Sequence, residues 1–166
     1  MGESGYFRFR KADISGLEKS YVHLTSHALP YLLNSKGRIV VINSALGKVS
    51  HPFLSSYAAT KHALDGFFSS LRSQFYGSGQ EVGVTSCFLG SIGTVSALKG
   101  LDAAGQSRVQ RWVKPASPAE TARAIALAAA TGVEELYYPW LYVRPMVLLH
   151  AVWPSLADSI MRFMSR

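Results

Sequence analysis

The chain has 166 residues, a length that fits one ordinary domain. It is 48% hydrophobic and only 16% charged, which provides enough apolar material for a core and argues against a disordered chain. The net charge is +7, yet the basic residues are scattered and no basic run is interleaved with aromatic residues. This pattern argues against a nucleic-acid partner and leaves an anionic cofactor or a membrane surface as better matches.

The N-terminal residues 1–14 are polar, basic and aperiodic, and we expect them to form a tail. They contain neither the apolar core of a signal peptide nor a complete myristoylation pattern. No apolar run in the chain reaches about 18 residues, so no transmembrane helix is predicted. The single cysteine, Cys87, lies in an apolar run and is expected to be a buried small hydrophobic residue, since one cysteine can form neither an intrachain disulfide nor a cysteine-based metal site.

The first predicted helix covers Ser15–Leu33, where apolar residues recur every three or four positions. Ser15 and Glu18 have the spacing of a capping box at its start. Pro30 predicts a kink or an end of this helix, because proline lacks the backbone N–H that an inner helical turn needs.

Two apolar runs flank a second helical pattern. The run "RIVVI", Arg38–Ile42, is β-branched without alternation, which predicts a strand buried on both faces and therefore a parallel sheet. Ser56–Tyr76 is predicted to be a helix with one apolar stripe, ended by the turn "GSGQ". Val82–Leu89 is predicted to be a second buried strand.

The following segment is predicted to contain a loop and two helices. Gly90–Ala97 reads as a loop, and Leu98–Lys114 as a weakly signalled helix. A stronger helix follows, with Ser117 as N-cap, Pro118 at its first position and Glu120 closing a capping box.

The last predicted strand is Glu135–Pro139, and the residues from Trp140 to Arg166 form an apolar, aromatic extension interrupted by Pro145 and Pro154. Strands that alternate with helices predict parallel crossovers, and the fold class is therefore α/β with a doubly wound parallel sheet.

Three polar residues are predicted to lie near the carboxyl ends of the strands, where ligands of such sheets bind. Ser44 follows the first strand, and Tyr57 and Lys61 are four residues apart on one face of the next helix. Ligands of open α/β sheets bind beyond the carboxyl ends of the strands, so the three side chains can converge there. A phenol has a reference pKa of about 10 and needs a nearby cation to exchange protons at neutral pH. The set suits proton transfer to or from a carbonyl or carbinol oxygen while a cofactor moves a hydride.

The pair Tyr57 and Lys61 is a weak signal by itself, since an amphipathic helix with a snorkelling lysine has the same spacing. The context strengthens it. The stretch "RIVVINSALGKVSHPFLSSYAATKHALDGFFSSLR" resembles the short-chain dehydrogenase/reductases, and most of all their 11β-hydroxysteroid dehydrogenase type 1 branch. The resemblance extends from about Ser20 to the C-terminus. It implies that Ser44 orients the substrate oxygen, that Tyr57 is the acid/base, and that Lys61 favours the phenolate and holds the nicotinamide ribose.

The resemblance also implies a cofactor loop after the second strand. The segment "IGTVS", from Ile92 to Ser96, matches the loop of this family that contacts the nicotinamide, with Ile92 and Thr94 at the ring and its carboxamide. Gly90 precedes this loop, where most family members have Pro-Gly and the 11β-hydroxysteroid branch does not. The implied cofactor is NADP, and the implied substrate is a hydroxyl/carbonyl pair, with a steroid as one candidate.

Two family features are missing from the sequence: the Gly-rich TGxxxGxG turn that holds the pyrophosphate, and the catalytic asparagine expected near Leu17. We therefore expect the C-terminal part of a Rossmann fold, lacking the first β-α-β units, in an alternative or shortened product. Its expected division is a non-homologous tail (1–14), a partial Rossmann domain (15–139) and an apolar helical extension (140–166). The alternative to an oxidoreductase is a catalytically inactive fragment that associates with a full-length enzyme.

Other residues have simpler interpretations. His23 and His27 have metal-binding spacing without a third ligand in view, and His51 and His62 are expected to be structural. Asp65 is expected to form a salt bridge or support a turn. Asn43 should point away from Ser44 and bond backbone groups.

Two C-terminal features leave alternatives open. Tyr137 and Tyr138 either close a substrate pocket or pack in the core. The resemblance implies that the extension from Trp140 contributes to a homodimer and contacts a membrane surface. The alternative is that this extension packs against the sheet or against a partner subunit.

Overall fold

The computed structural model describes residues 16–52, 54–103 and 112–165, and within them the chain forms a three-stranded parallel sheet. The strands are β1 (Arg38–Ser44), β2 (Gly83–Leu89) and β3 (Glu135–Tyr138), in the order β1-β2-β3. Cys87 of β2 is opposite Ile42 of β1 and Leu136 of β3. The parallel arrangement agrees with the prediction, and it places the ends of all three strands at one edge of the sheet.

Helices connect the strands in the predicted alternation. They are α1 (Gly16–Ser35), a single 3-10 turn (Ala45–Gly47), α2 (Ser55–Gly77), α3 (Val95–Ala103), α4 (Pro118–Thr131), α5 (Trp140–Val152) and α6 (Pro154–Met164). None of the helices in the described ranges is both long and apolar enough to cross a membrane.

The main core lies between the sheet and the first two helices. Leu29 of α1 and Val41 of β1 are buried together with an apolar stripe of α2 and with the start of β2; the other members of this cluster are Leu64, Phe68, Leu71, Phe75, Val82 and Val84. The apolar periodicity of α2 thus has its expected role, since it fixes which face of the helix meets the sheet. α4 packs against β2 and β3.

The prediction that both faces of β1 are buried was wrong. Its side chains alternate, with Val41 and Asn43 buried and with Val40 and Ile42 exposed at 36% and 43%. The β-branched residues of β1 favour an extended strand, but they do not determine whether each face of that strand is covered by other elements. β2 does follow the prediction, because six of its seven residues are buried.

Pro30 and Pro145 do not end the helices that contain them. α1 continues through Pro30 to Ser35, and α5 continues through Pro145. Pro30 is exposed, so water can reach the carbonyl that loses its partner, while Leu29 and Leu33 on either side hold the helix against the core. Pro154 does separate two helices, since it occupies the first turn of α6.

One helix start differs from its prediction, and one predicted capping interaction is missing. α3 begins at Val95, inside the predicted loop, because the Thr94 hydroxyl accepts a hydrogen bond from the Ala97 N–H at 3.2 Å and caps the helix. Ser117 is the N-cap of α4, but its exposed side chain makes no capping hydrogen bond, so the predicted capping box does not form. The predicted start of α1 at Ser15, the tail 1–14 and residues 104–111 of the third predicted helix lie outside the described residues.

Candidate active site

Ser44 is the last residue of β1, at the carboxyl edge of the sheet. Its hydroxyl oxygen accepts a hydrogen bond from the Leu46 N–H at 3.2 Å, which starts the 3-10 turn. A hydroxyl that accepts this bond can still donate its own proton. The turn therefore fixes the Ser44 oxygen while leaving its proton able to reach a ligand atom.

Asn43 joins the end of β1 to helix α2. Its side chain is 3% exposed; the amide nitrogen donates to the Lys61 carbonyl at 3.1 Å, and the amide oxygen accepts from the Ser44 N–H at 2.8 Å. Gly47 adds a close approach, because a Cβ built there would lie 2.9 Å from the same carbonyl. The prediction that Asn43 bonds backbone groups is confirmed, and this junction sets the position of Ser44 relative to α2.

Tyr57 and Lys61 lie in the first two turns of α2, next to this junction. Tyr57 is 45% exposed, and the Lys61 ammonium nitrogen is 5.6 Å from the centre of its ring. Lys61 is half-buried, and this burial lowers its pKa from the ordinary value of a lysine. The two side chains predicted to act as a pair are therefore adjacent, at the same end of the sheet as Ser44.

Lys48 holds the loop that follows Ser44. Its ammonium is 2.9 Å from the Asp65 carboxylate on α2 and 3.3 Å from the Glu135 carboxylate on β3, and it lies 4.6 Å from the centre of the Phe88 ring. The predicted salt bridge of Asp65 is confirmed. Lys48 thus ties the loop to both a helix and a strand.

Glu135 and Tyr137 extend this network along β3. The Tyr137 hydroxyl donates a 2.5 Å hydrogen bond to the Glu135 carboxylate, and its ring stacks on Phe88 at 5.2 Å. Burial raises the pKa of Glu135, but the bond from Tyr137 and the ammonium of Lys48 outweigh it, so the net shift is downward. Burial and the neighbouring carboxylate raise the pKa of Tyr137. These contacts favour the core-packing interpretation of Tyr137.

The predicted cofactor loop is held at both ends. Ile92 forms a parallel bridge with Ala116, and the Gly93 N–H donates to the Ala116 carbonyl at 2.9 Å. Thr94 caps α3, and the side chains of Thr94 and Ser96 are exposed. The backbone of this loop is therefore fixed, while its polar side chains remain open to solvent.

Gly90, which precedes this loop, contacts Tyr142, a residue for which the sequence predicted no role at the site. A Cβ at Gly90 would lie 2.6 Å from the Tyr142 hydroxyl and 2.9 Å from a methyl group of Val143. Tyr142 belongs to α5, so the C-terminal helix rests directly on the end of β2. Glycine is required here for close packing against this helix.

Several other residues have structural environments. His27 and His62 bond carbonyls one turn earlier in their own helices, and His51 bonds the Pro52 carbonyl. Cys87 is fully buried, and this burial raises the pKa of its thiol to about 11. No group of three or more metal-ligating residues occurs in the part of the chain that the structure describes.

Sequence reasoning missed the roles of Lys48 and Tyr142. The partners of Lys48 lie on α2 and on β3, far along the chain, and no local spacing relates them. The available signal was weak: an isolated lysine in an otherwise small and apolar loop close to Ser44.

Comparison with known proteins agrees with this geometry. The family model described as short chain dehydrogenase matches residues 18–102. A hydroxysteroid 11-beta-dehydrogenase 1-like protein of Xenopus tropicalis is 42% identical over 84% of this chain and 46% of its own length. A hydroxysteroid 11-beta-dehydrogenase 1-like protein B of Xenopus laevis is 38% identical over 97% of this chain and 56% of its own length.

The solved structures support the fold. A short chain dehydrogenase from Burkholderia cenocepacia, crystallised in complex with NADP, superposes with a TM-score of 0.65 at 21% identity, over 85% of this chain and 54% of that one. The chain spans about half the length of the curated relatives it matches. The described part thus has the parallel sheet of the Rossmann fold over part of its extent. The family model covers just over half of the residues, including Ser44, Tyr57 and Lys61, and the chain belongs to the short-chain dehydrogenase family.

Proposed function

We propose that the protein is an NADP-dependent oxidoreductase that acts on a hydroxyl/carbonyl pair, with a steroid as one candidate substrate. The observation that carries the proposal is the contact between Lys61 and Tyr57, 5.6 Å from ammonium to ring centre, next to the strand end that bears Ser44. The curated relatives named for hydroxysteroid dehydrogenases support the substrate class.

The side chains have complementary roles in this proposal. The Ser44 hydroxyl donates a hydrogen bond to the substrate oxygen and orients it. The Tyr57 hydroxyl gives a proton to a carbonyl oxygen in reduction and takes it back in oxidation. The Lys61 ammonium stabilises the negative charge that develops on the phenol oxygen when the proton leaves.

The residues present fit one end of NADP. Ile92 and Thr94 lie on the loop that begins at Gly90, and Ser96 lies in the first turn of α3; the side chains of Thr94 and Ser96 are exposed. Together with Tyr57 and Lys61, these residues would hold the nicotinamide and its ribose. When bound, the cofactor supplies or accepts the hydride. These residues fit the nicotinamide end only, because the 166 residues contain no TGxxxGxG turn for the pyrophosphate.

The test is NADPH binding by calorimetry, followed by turnover of a ketone substrate. We expect Tyr57→Phe to abolish turnover with an unchanged melting temperature, because the exposed Tyr57 ring is retained and only its hydroxyl is lost. Tyr76→Phe, on the same helix at its opposite end, is the matched control and should keep full turnover. Turnover by Tyr57→Phe would disprove the acid/base assignment.

A second candidate function is an inactive partner that acts by association. The observation that favours it is the uncovered face of β1, where Val40 and Ile42 are exposed. A chain that melts cooperatively, binds no NADPH and has no turnover would support this function over the first.

We also propose that α5 and α6 contact a membrane surface. The exposed residues of α5 occupy one side of the helix and are mostly apolar: Trp140, Leu141, Pro145, Leu148, Ala151 and Val152, with Arg144 among them. Trp153 and Phe163 continue this surface at 60% and 62% exposure. Apolar and aromatic residues beside arginines suit the interface of an anionic bilayer.

Co-sedimentation with vesicles of phosphatidylcholine and phosphatidylserine tests this contact. We expect Leu141→Glu with Val152→Glu to lower the bound fraction at least about fivefold, because charge on the apolar face opposes insertion. Leu24→Glu, at the 72% exposed Leu24 of α1, is the control and should bind like the unchanged protein. Equal loss for both variants would refute a specific α5–α6 contact.

A further inference from the structure

The loop between Ser44 and helix α2 is held by the C-terminal helices as well as by Lys48. The Ser50 hydroxyl donates a 2.5 Å hydrogen bond to the Asp158 carboxylate of α6. The His150 imidazole of α5 lies 3.7 Å from the same carboxylate oxygen. One carboxylate thus joins this loop to both helices of the C-terminal extension.

The backbone is fixed on both sides of this contact. Ala157, next to Asp158, is buried, so the turn of α6 that carries the carboxylate is packed against the protein. Val49, next to Ser50, is also buried, and its N–H donates to the Ala45 carbonyl at 3.1 Å. The length of the Ser50–Asp158 bond is typical of a hydroxyl that donates to an ionised carboxylate, the stronger class of hydrogen bond.

The start of α2 depends on contacts of this kind. Leu54 occupies the N-cap position and makes no side-chain hydrogen bond, and the first turn contains no acidic residue. The N–H groups of a first helical turn have no partners within the helix, so a start without a cap frays unless other contacts hold it. Ser50 lies five residues before Ser55, where α2 begins, and Tyr57 belongs to the first turn. The position of Tyr57 therefore depends on how the preceding loop is held.

We propose that Asp158 is a positioning residue for Tyr57. Through Ser50 it fixes the loop that leads into α2, and it thereby keeps the Tyr57 hydroxyl in place beside Ser44. His150 supports the carboxylate from α5. This role rests on the proposed acid/base function of Tyr57, and it gives the C-terminal extension a part in the site that does not require contact with a membrane.

Two variants remove the contact from opposite sides. Ser50→Ala removes the donor, and Asp158→Asn replaces the charged acceptor by a neutral amide of the same shape. Ser50 is exposed and Asp158 is partly exposed, so both variants should keep the melting temperature within about 2 °C. Ser159→Ala is the matched control, because Ser159 is next to Asp158 but its hydroxyl bonds the Ser155 carbonyl within α6.

Hydrogen exchange of the 166-residue chain measures the start of α2 directly. The Ala58 N–H donates to the Leu54 carbonyl at 2.8 Å and should exchange about threefold to tenfold faster in both variants. The Leu64 amide, in the middle of the same helix, is the internal control and should not change. Exchange needs neither cofactor nor substrate, so it separates a failure of the positioning role from a failure of the proposed function.

Turnover of a ketone substrate gives a readout specific to positioning. Both variants should lower kcat about threefold to tenfold and change KM less than about twofold, because a displaced acid/base slows proton transfer without weakening substrate binding. Combining Ser50→Ala with Asp158→Asn should add no further loss, since both changes remove the same contact. If the unchanged protein has no turnover, the proposed function fails, and the exchange rates of the single and double variants still decide the positioning role.

Three results would overturn the proposal. One is exchange at Ala58 that stays unchanged in Ser50→Ala and in Asp158→Asn. Another is effects that add in the double variant or that Ser159→Ala reproduces, because the Ser50–Asp158 contact would then not be their cause. The third is equal loss of protection at Ala58 and Leu64 with a lower melting temperature, which would mean that the contact stabilises the whole fold.

Discussion

Replacing Lys48 by methionine tests whether the ion network behind Ser44 stabilises the fold. The change keeps the length of the side chain but leaves the carboxylates of Asp65 and Glu135 without their shared cation, 2.9 Å and 3.3 Å away. The three side chains are only 17–27% exposed, so solvent screens them weakly. Breaking a fully buried pair costs about 3–5 kcal/mol, and for this partly buried site we expect about 2 kcal/mol. The melting temperature should fall by about 4–8 °C.

The effect should depend on pH in a defined direction. The pKa of Glu135 is lowered in the folded protein from its ordinary value of 4.5, so its contribution to stability is present above that value. It is lost as the pH falls through the lower, folded-state pKa. Urea unfolding at pH 7 and at about pH 3 should therefore show a difference between Lys48→Met and the unchanged protein that shrinks in acid.

Lys36→Met is the control for this experiment. Lys36 pairs with Glu81 on the surface, where both side chains are about two-thirds exposed, and we expect its loss to cost less than about 0.5 kcal/mol. Equal effects of the two variants, or a Lys48→Met effect that persists unchanged in acid, would refute a role for the buried charges.

Three further outcomes follow from the packing of the site. Gly90→Ala should lower the free energy of unfolding by about 1–3 kcal/mol in urea titrations, because its Cβ would overlap Tyr142, whereas Gly93→Ala should be tolerated since the nearest atom is 3.5 Å away. Asn43→Ala removes two hydrogen bonds from a 3% exposed side chain and should cost about 1–3 kcal/mol in the same assay, and an unchanged stability would argue against the junction. The Cys87 thiol, buried and with its pKa raised to about 11, should react with a disulfide reagent at pH 8 only as fast as the protein unfolds, and rapid labelling of the native protein would contradict its burial.

The sequence predicted most elements because local patterns specify them. The apolar stripe of α2 predicted the helix within one residue at each end, and Val82–Leu89 was correctly predicted to be a buried strand, although it contains the polar residues Thr85 and Ser86. The spacing of Ser44, Tyr57 and Lys61 predicted a shared end of the sheet, since a strand end and a helix start that are close in sequence stay close in a parallel crossover. The structure places them there, and their chemical roles remain predictions.

The tertiary structure decided which surfaces are covered and which charges meet. β1 has the composition of a buried strand, yet Val40 and Ile42 are 36% and 43% exposed, so this face of the strand is less well covered than the face that carries Val41. Lys48 meets Glu135 only because β3 lies beside β2, and Gly90 is a contact point only because α5 returns to the end of the sheet. The periodicity of a sequence indicates which side chains share a face of one helix or strand. The contacts of Lys48 with Glu135 and of Gly90 with α5 depend instead on how elements far apart in the chain are arranged in space.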